Sequence, residues 1–130
     1  MDVGQRGSSL VAVARIAEAM DSVARGTRYE DPLAAALQGA GLGRVNGGGS
    51  LLGPQRQVVS VDIELLLRDL DGALQFARTT LAALGAPVGS QLLFLRKGRP
   101  RALTIATGEE FDHEPALEAL ARRLALPRMG

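Results

Sequence analysis

The order of apolar periods along this chain predicts an α+β fold, an antiparallel sheet with helices packed on one face. Three observations carry that expectation. Gln57 to Gly85 switches from a strand period to a helix period within one stretch. A helix opening at Glu30-Asp31-Pro32 runs into the glycines Gly39, Gly41 and Gly43. Short apolar runs on either side of these segments supply the remaining strands.

The elements follow in order. Leu10–Ala17 fits both periods. Alternation separates Leu10, Ala12, Ala14 and Ile16 from Val11, Val13 and Arg15, while helical spacing links Leu10, Val13, Ala14 and Ala17. The two closely placed Val residues and the polar stretch that follows favour the strand. Asp21–Tyr29 reads as a loop. Glu30-Asp31-Pro32 then opens a helix, with acids at the positive end of its dipole and Pro in the first turn. Leu33, Ala36, Leu37 and Ala40 form its inner face, and the glycines end it.

Arg44-Val45 begins an extended piece interrupted by Asn46–Ser50. Leu51-Leu52 continues it, and Gly53–Arg56 turns the chain. Along Gln57–Leu67, Val59, Val61, Ile63, Leu65 and Leu67 alternate with mostly polar neighbours, as in a half-buried strand. Leu70, Leu74, Ala77, Leu81 and Leu84 then recur with helical spacing until Gly85 and Pro87. Gln91–Leu95 is a further strand, Lys97–Pro100 a turn, and Arg101–Ala106 a hairpin strand. A last helix begins at Asp112–Pro115 and carries Leu117, Leu120, Ala121 and Leu124. The order β-α-β-β-α-β is that of the split βαβ, or ferredoxin-like, fold. One domain is expected over 1–130, with the ferredoxin-like core at about 8–95 and a C-terminal extension at 96–130.

Composition narrows the functional classes. The 130 residues are enough for one buried core. Net charge is +1, without the strongly basic balance of a nucleic-acid-binding domain, so nucleic acid is not the expected partner. Absence of cysteine removes disulfides, thiolate nucleophiles and Cys-ligated metals, and fits a cytoplasmic protein. No apolar run approaches the roughly 20 residues of a bilayer span. The segment MDVGQRGSS lacks the charged-then-apolar order of a secretory signal.

No motif carries a catalytic signature. The glycines of Gly39–Gly49 lack phosphate-loop spacing, and they follow a helix where such loops follow a strand. They read as helix termination and a bulged hairpin, or as a backbone nest for an anion. Asp62 and Glu64 point to one face of their strand, opposite the apolar stripe. They are expected on an open, solvated or partner-facing surface. A glycosidase-type acid/base pair would need a cleft that separates their pKa values. His113, the single histidine, lies at a helix start between two acids. Arg96, Lys97, Arg99 and Arg101 form a basic hairpin tip that reads as a solvated turn, with contact to RNA or an acidic protein as the other reading.

The segments YEDPL, GLGRVNGGG, VDIEL and LGAPVGS, within residues 28–92, resemble a pattern found in small bacterial ferredoxin-like proteins. Some of these look like immunity proteins of toxin systems. The resemblance implies a non-enzymatic, cofactor-free module that binds and neutralises a protein toxin. It brings no catalytic residues with it. Tyr29, Glu30, Asp31, Asp62 and Glu64 are the expected partner contacts. A dimeric ferredoxin-like sensor of small molecules, with the glycine-rich segment as pocket wall, is the alternative.

Overall fold

A computed structural model describes the backbone of residues 10–124 and the side chains of residues 10–122. The expectations for the first nine residues and for the Leu124 side chain lie outside that range. The chain forms β1 (Leu10–Ile16), α1 (Ser22–Arg25), a π-helical turn (Gly26–Glu30), α2 (Asp31–Ala40), β2 (Gly43–Leu52) and β3 (Val58–Leu67). It continues with α3 (Leu70–Ala83), β4 (Gln91–Arg96), β5 (Arg99–Thr104), β6 (Glu110–Asp112) and α4 (Pro115–Leu124). The strands make one antiparallel six-stranded sheet ordered β2-β3-β1-β4-β5-β6. The α+β class and the antiparallel sheet agree with the sequence reading. The sheet is wider than a four-stranded ferredoxin-like one, because β5 and β6 extend it beyond β4.

Leu10–Ile16 is a strand. It lies between β3 and β4, where β-branched and small residues fit a pleated surface buried on both sides. Its inner-facing Ala12, Ala14 and Ile16 join Val61, Ile63, Leu65 and Leu67 of β3 and Leu92 and Phe94 of β4. Leu33 and Leu37 of α2, with Ala73, Leu74, Ala77 and Leu81 of α3, close this core. Val59, expected in the same stripe, is exposed: the β2–β3 register shifts between Leu51 and Leu52, leaving Val59 unpaired, and Val58 packs on the core in its place.

Four expectations need correction. Asp21–Tyr29 is helical, not a loop. The Asp21 carboxylate caps Ala24 N–H at 2.8 Å, and the helix continues through the π turn into α2. Burial of Tyr29 outweighs the low helix propensity of Gly26 and Thr27. Secondly, residues 43–52 are one strand, whose register shifts between Val45 and Gly48 as a bulge; the glycines do not interrupt it. Thirdly, β6 was not foreseen, because three residues are too short to show a period.

The fourth correction concerns the second face of the sheet. It is not open. Helix α4 lies on it, packing Ala116, Ala119 and Leu120 against Val13, Leu93 and Ala102. Leu117 and Ala121, expected inward, are exposed, and the inner side of α4 is its alanine side. Small side chains let the helix sit close to the sheet.

Candidate functional site

The five residues singled out in the sequence fall into two separate places, and most of them are spoken for. Asp62 and Glu64 are only 4% and 9% exposed, so they do not offer the solvated surface expected of them. Antiparallel register puts Arg15 opposite Asp62 and Val13 opposite Glu64. The Arg15 guanidinium meets both Asp62 oxygens, Nε to Oδ1 at 2.8 Å and Nη2 to Oδ2 at 2.9 Å. That bond raises the Arg15 pKa, and Glu118 on α4 adds a smaller pull in the same direction. A carboxylate held at both oxygens by one fork is a structural anchor and a poor general acid or base.

The Tyr29-Glu30-Asp31 corner is also mostly internal. Tyr29 is fully buried within the helix–sheet core, and burial pushes its phenol pKa up. Arg28 lies over its ring at 5.2 Å and binds Glu18 through 2.8 and 3.1 Å hydrogen bonds. Glu30 accepts from Arg25 Nε at 2.6 Å. This pair rests on the β2 bulge. A Cβ built at Gly48 would lie 2.6 Å from Glu30 Oε2 and 2.6 Å from the Asp62 carbonyl oxygen. The YED segment and the glycine run thus meet in space, and what the glycine provides there is close approach. Asp31 alone stays exposed, in the first turn of α2.

The hairpin tip is not a free basic patch. Arg96 grips Glu110 at 2.8 and 2.9 Å and Asp71 at 2.9 Å. Arg101 reaches Glu110 at 2.9 Å and also pairs with Asp112, which takes Arg99 at 3.3 Å. Arg96 holds the Glu110 carboxyl below the usual glutamate value, with Arg101 helping. Of this cluster, Lys97 at the turn has no carboxylate partner among the described residues. His113 sits at the start of α4, its carbonyl accepting from Ala116 N–H, with its ring edge-on to Phe111 at 5.7 Å. Among the described residues no three His, Cys, Asp or Glu side chains converge as a metal site. No described helix is long and apolar enough to cross a membrane.

The surface that remains is the outer edge of β2. It ends the strand order, so along ten residues its far side meets no other strand among the described residues. Arg44 is its one charged side chain, and Asn46 and Ser50 are exposed. Sequence reasoning did not find this edge, because edge position depends on strand order. It also did not find the Arg15–Asp62 pair, which depends on register. The only trace of the pair in the sequence is a cation, Arg15, in one apolar strand and two acids, Asp62 and Glu64, in another.

Comparisons with protein-family models, curated proteins and solved structures gave no match. The site therefore rests on its own geometry.

Proposed function

We propose that this chain is a non-enzymatic protein-binding module that uses the outer edge of β2 to take up an extended segment of a partner. The ten-residue unpartnered edge carries this reading. Strand addition draws affinity from main-chain hydrogen bonds and needs no catalytic group. Proteins ordinarily blunt such edges with lysine, proline, bulges or short strands. This one carries the bulge at Val45–Gly48 but neither lysine nor proline, and it is ten residues long. Engagement of Asp62 by Arg15 favours binding over hydrolysis.

We further propose that residues 10–96 are a ferredoxin-like core widened by the C-terminal strands. Within it the order β2-β3-β1-β4 follows the β-α-β-β-α-β sequence of elements. On the resemblance of residues 28–92, the biological role is that of a cytoplasmic immunity protein, and the partner is a cognate toxin. The same edge would also support a homodimer.

The test is an affinity capture from native lysate with wild type and Asn46→Lys/Ser50→Lys. Both positions are exposed, so the lysines alter the edge and spare the core. A stoichiometric partner held by wild type and lost by the variant supports the reading. Equal capture by both chains places the contact elsewhere and rejects it. Asp62→Lys is unsuitable as a probe, since it would break a buried ion pair.

A further inference from the structure

We propose that a hollow where α2, β2 and β3 meet, which shares Arg44 with the β2 edge, binds a small phosphorylated molecule. Its volume is about 320 Å³, and it is lined by Gln38, Gly41, Gly43, Arg44, Leu66 and Arg68. That is at the small end of the roughly 300–1,000 Å³ range of ligand pockets, enough for a phosphate with a modest organic part.

Its charge sets this hollow apart. The other arginines described are mostly saturated by carboxylates: Arg15, Arg25, Arg28, Arg96, Arg99, Arg101 and Arg122 each have one within 4 Å. Arg78 donates to Gln75 and to the Ile105 carbonyl. Among the described residues Arg44, Arg56 and Arg68 have no such partner, and two of these three line the same hollow. No acidic residue lines it.

The backbone brings Arg44 and Arg68 to the same hollow. Arg44 lies opposite Leu66 in the β2–β3 register. Arg68 follows β3 directly, and its N–H donates to the Leu42 carbonyl at 2.9 Å. Gly43 lets the two strands close up here, as a Cβ on it would lie 2.3 Å from the Leu66 carbonyl oxygen. The C-terminal end of α2 also faces this region, and its dipole opposes an anion with about half a charge. Its Gln38 and Leu37 carbonyls already accept from Gly41 and Leu42 N–H, and two full cationic charges outweigh it. Two guanidinium forks suit a phosphate dianion, which offers three oxygens, better than a carboxylate, which one fork saturates. The Gln38 amide adds a neutral donor, and Leu66 an apolar wall for the organic part.

Inorganic phosphate is the probe. The isotope-labelled full chain is titrated with it at low ionic strength while backbone amide resonances are followed. Saturable shifts centred on Gly41, Gly43, Arg44 and Arg68 are expected. Arg44→Gln/Arg68→Gln, with its spectrum still dispersed, should weaken binding at least about tenfold, as the loss of two charge-assisted contacts predicts. Arg56→Gln, which removes the third unpartnered guanidinium, should change nothing. Non-saturating shifts, shifts spread over every cationic residue, or full binding by the double variant would overturn the site. Acetate binding as tight as phosphate would overturn the phosphate assignment. Asn46 and Ser50 do not line the hollow, so the β2-edge test and this one fail separately.

Discussion

Arg15 and Asp62 show what a single pair does in this molecule. Their side chains are 18% and 6% exposed, so breaking the pair strands a largely desolvated charge. Asp62→Ala should cost about 3 kcal/mol, read as a shift of the urea midpoint at constant slope. By contrast Arg122→Ala removes an exposed i,i+4 pair with Glu118 and should cost about 0.5 kcal/mol or less by the same measurement. Glu110 gives the pH dependence. Its folded pKa is depressed by Arg96, so the stability it contributes is present above its unfolded value, ordinarily about 4.5. That contribution fades as pH falls below this value and through the depressed folded pKa. Urea midpoints should therefore drop between neutral and acidic pH, and Glu110→Gln should flatten that drop. A variant with the same acid slope as wild type would show that the Arg96–Glu110–Arg101 contacts do not form in solution.

At the scale of elements, the glycines of residues 41–49 hold α2, β2 and β3 together. Gly41 caps α2 in the left-handed conformation at φ 70°. Gly43 sits where two backbones nearly touch, so Gly43→Ala must push β2 away from β3. A loss of at least about 2 kcal/mol is expected, seen as a lower melting temperature. Gly39→Ala is the control, since nothing lies within 4 Å of its Cβ position, and it should be neutral or slightly stabilising. The strand-to-helix switch around Arg68-Asp69 was legible because β3 and α3 are long and strongly periodic. Asp69 caps α3 there, accepting from Gly72 N–H. The helix over 22–30 was not legible, because its sequence is polar and contains Gly26. What holds it is Tyr29 in the core and the Arg25–Glu30 pair against β2, both long-range contacts.

On the scale of the whole molecule, α4 makes a three-layer structure of the two layers the sequence suggested. It covers Val13, Leu93 and Ala102, which would otherwise form an apolar patch in the middle of the sheet. Ala119→Asp places a carboxylate in that contact and should dislodge α4. The expected outcome is retained sheet signal by circular dichroism, new binding of a hydrophobic dye, and self-association on size exclusion. If the variant stays monomeric and binds no dye, α4 is not what shields this face. With one face under α1–α3 and part of the other under α4, the β2 edge is the main extended surface available to the partner proposed above.

The local pattern by itself determined the class of the fold, the β3–α3 unit, the capped end of α2 and the turn at Gly53–Arg56. Each depends on periodicity or turn chemistry within a few residues, and those are written in consecutive positions. The candidate site was decided by tertiary structure alone. Asp62 and Glu64 were assigned correctly to the face opposite the apolar stripe, yet their burial depends on what the rest of the chain lays over that face. Which arginine meets which carboxylate depends on strand register, and which strand is the edge depends on strand order. Both are set by contacts between residues far apart in the chain, such as Arg15 with Asp62 and Gly43 with Leu66. No local period records them.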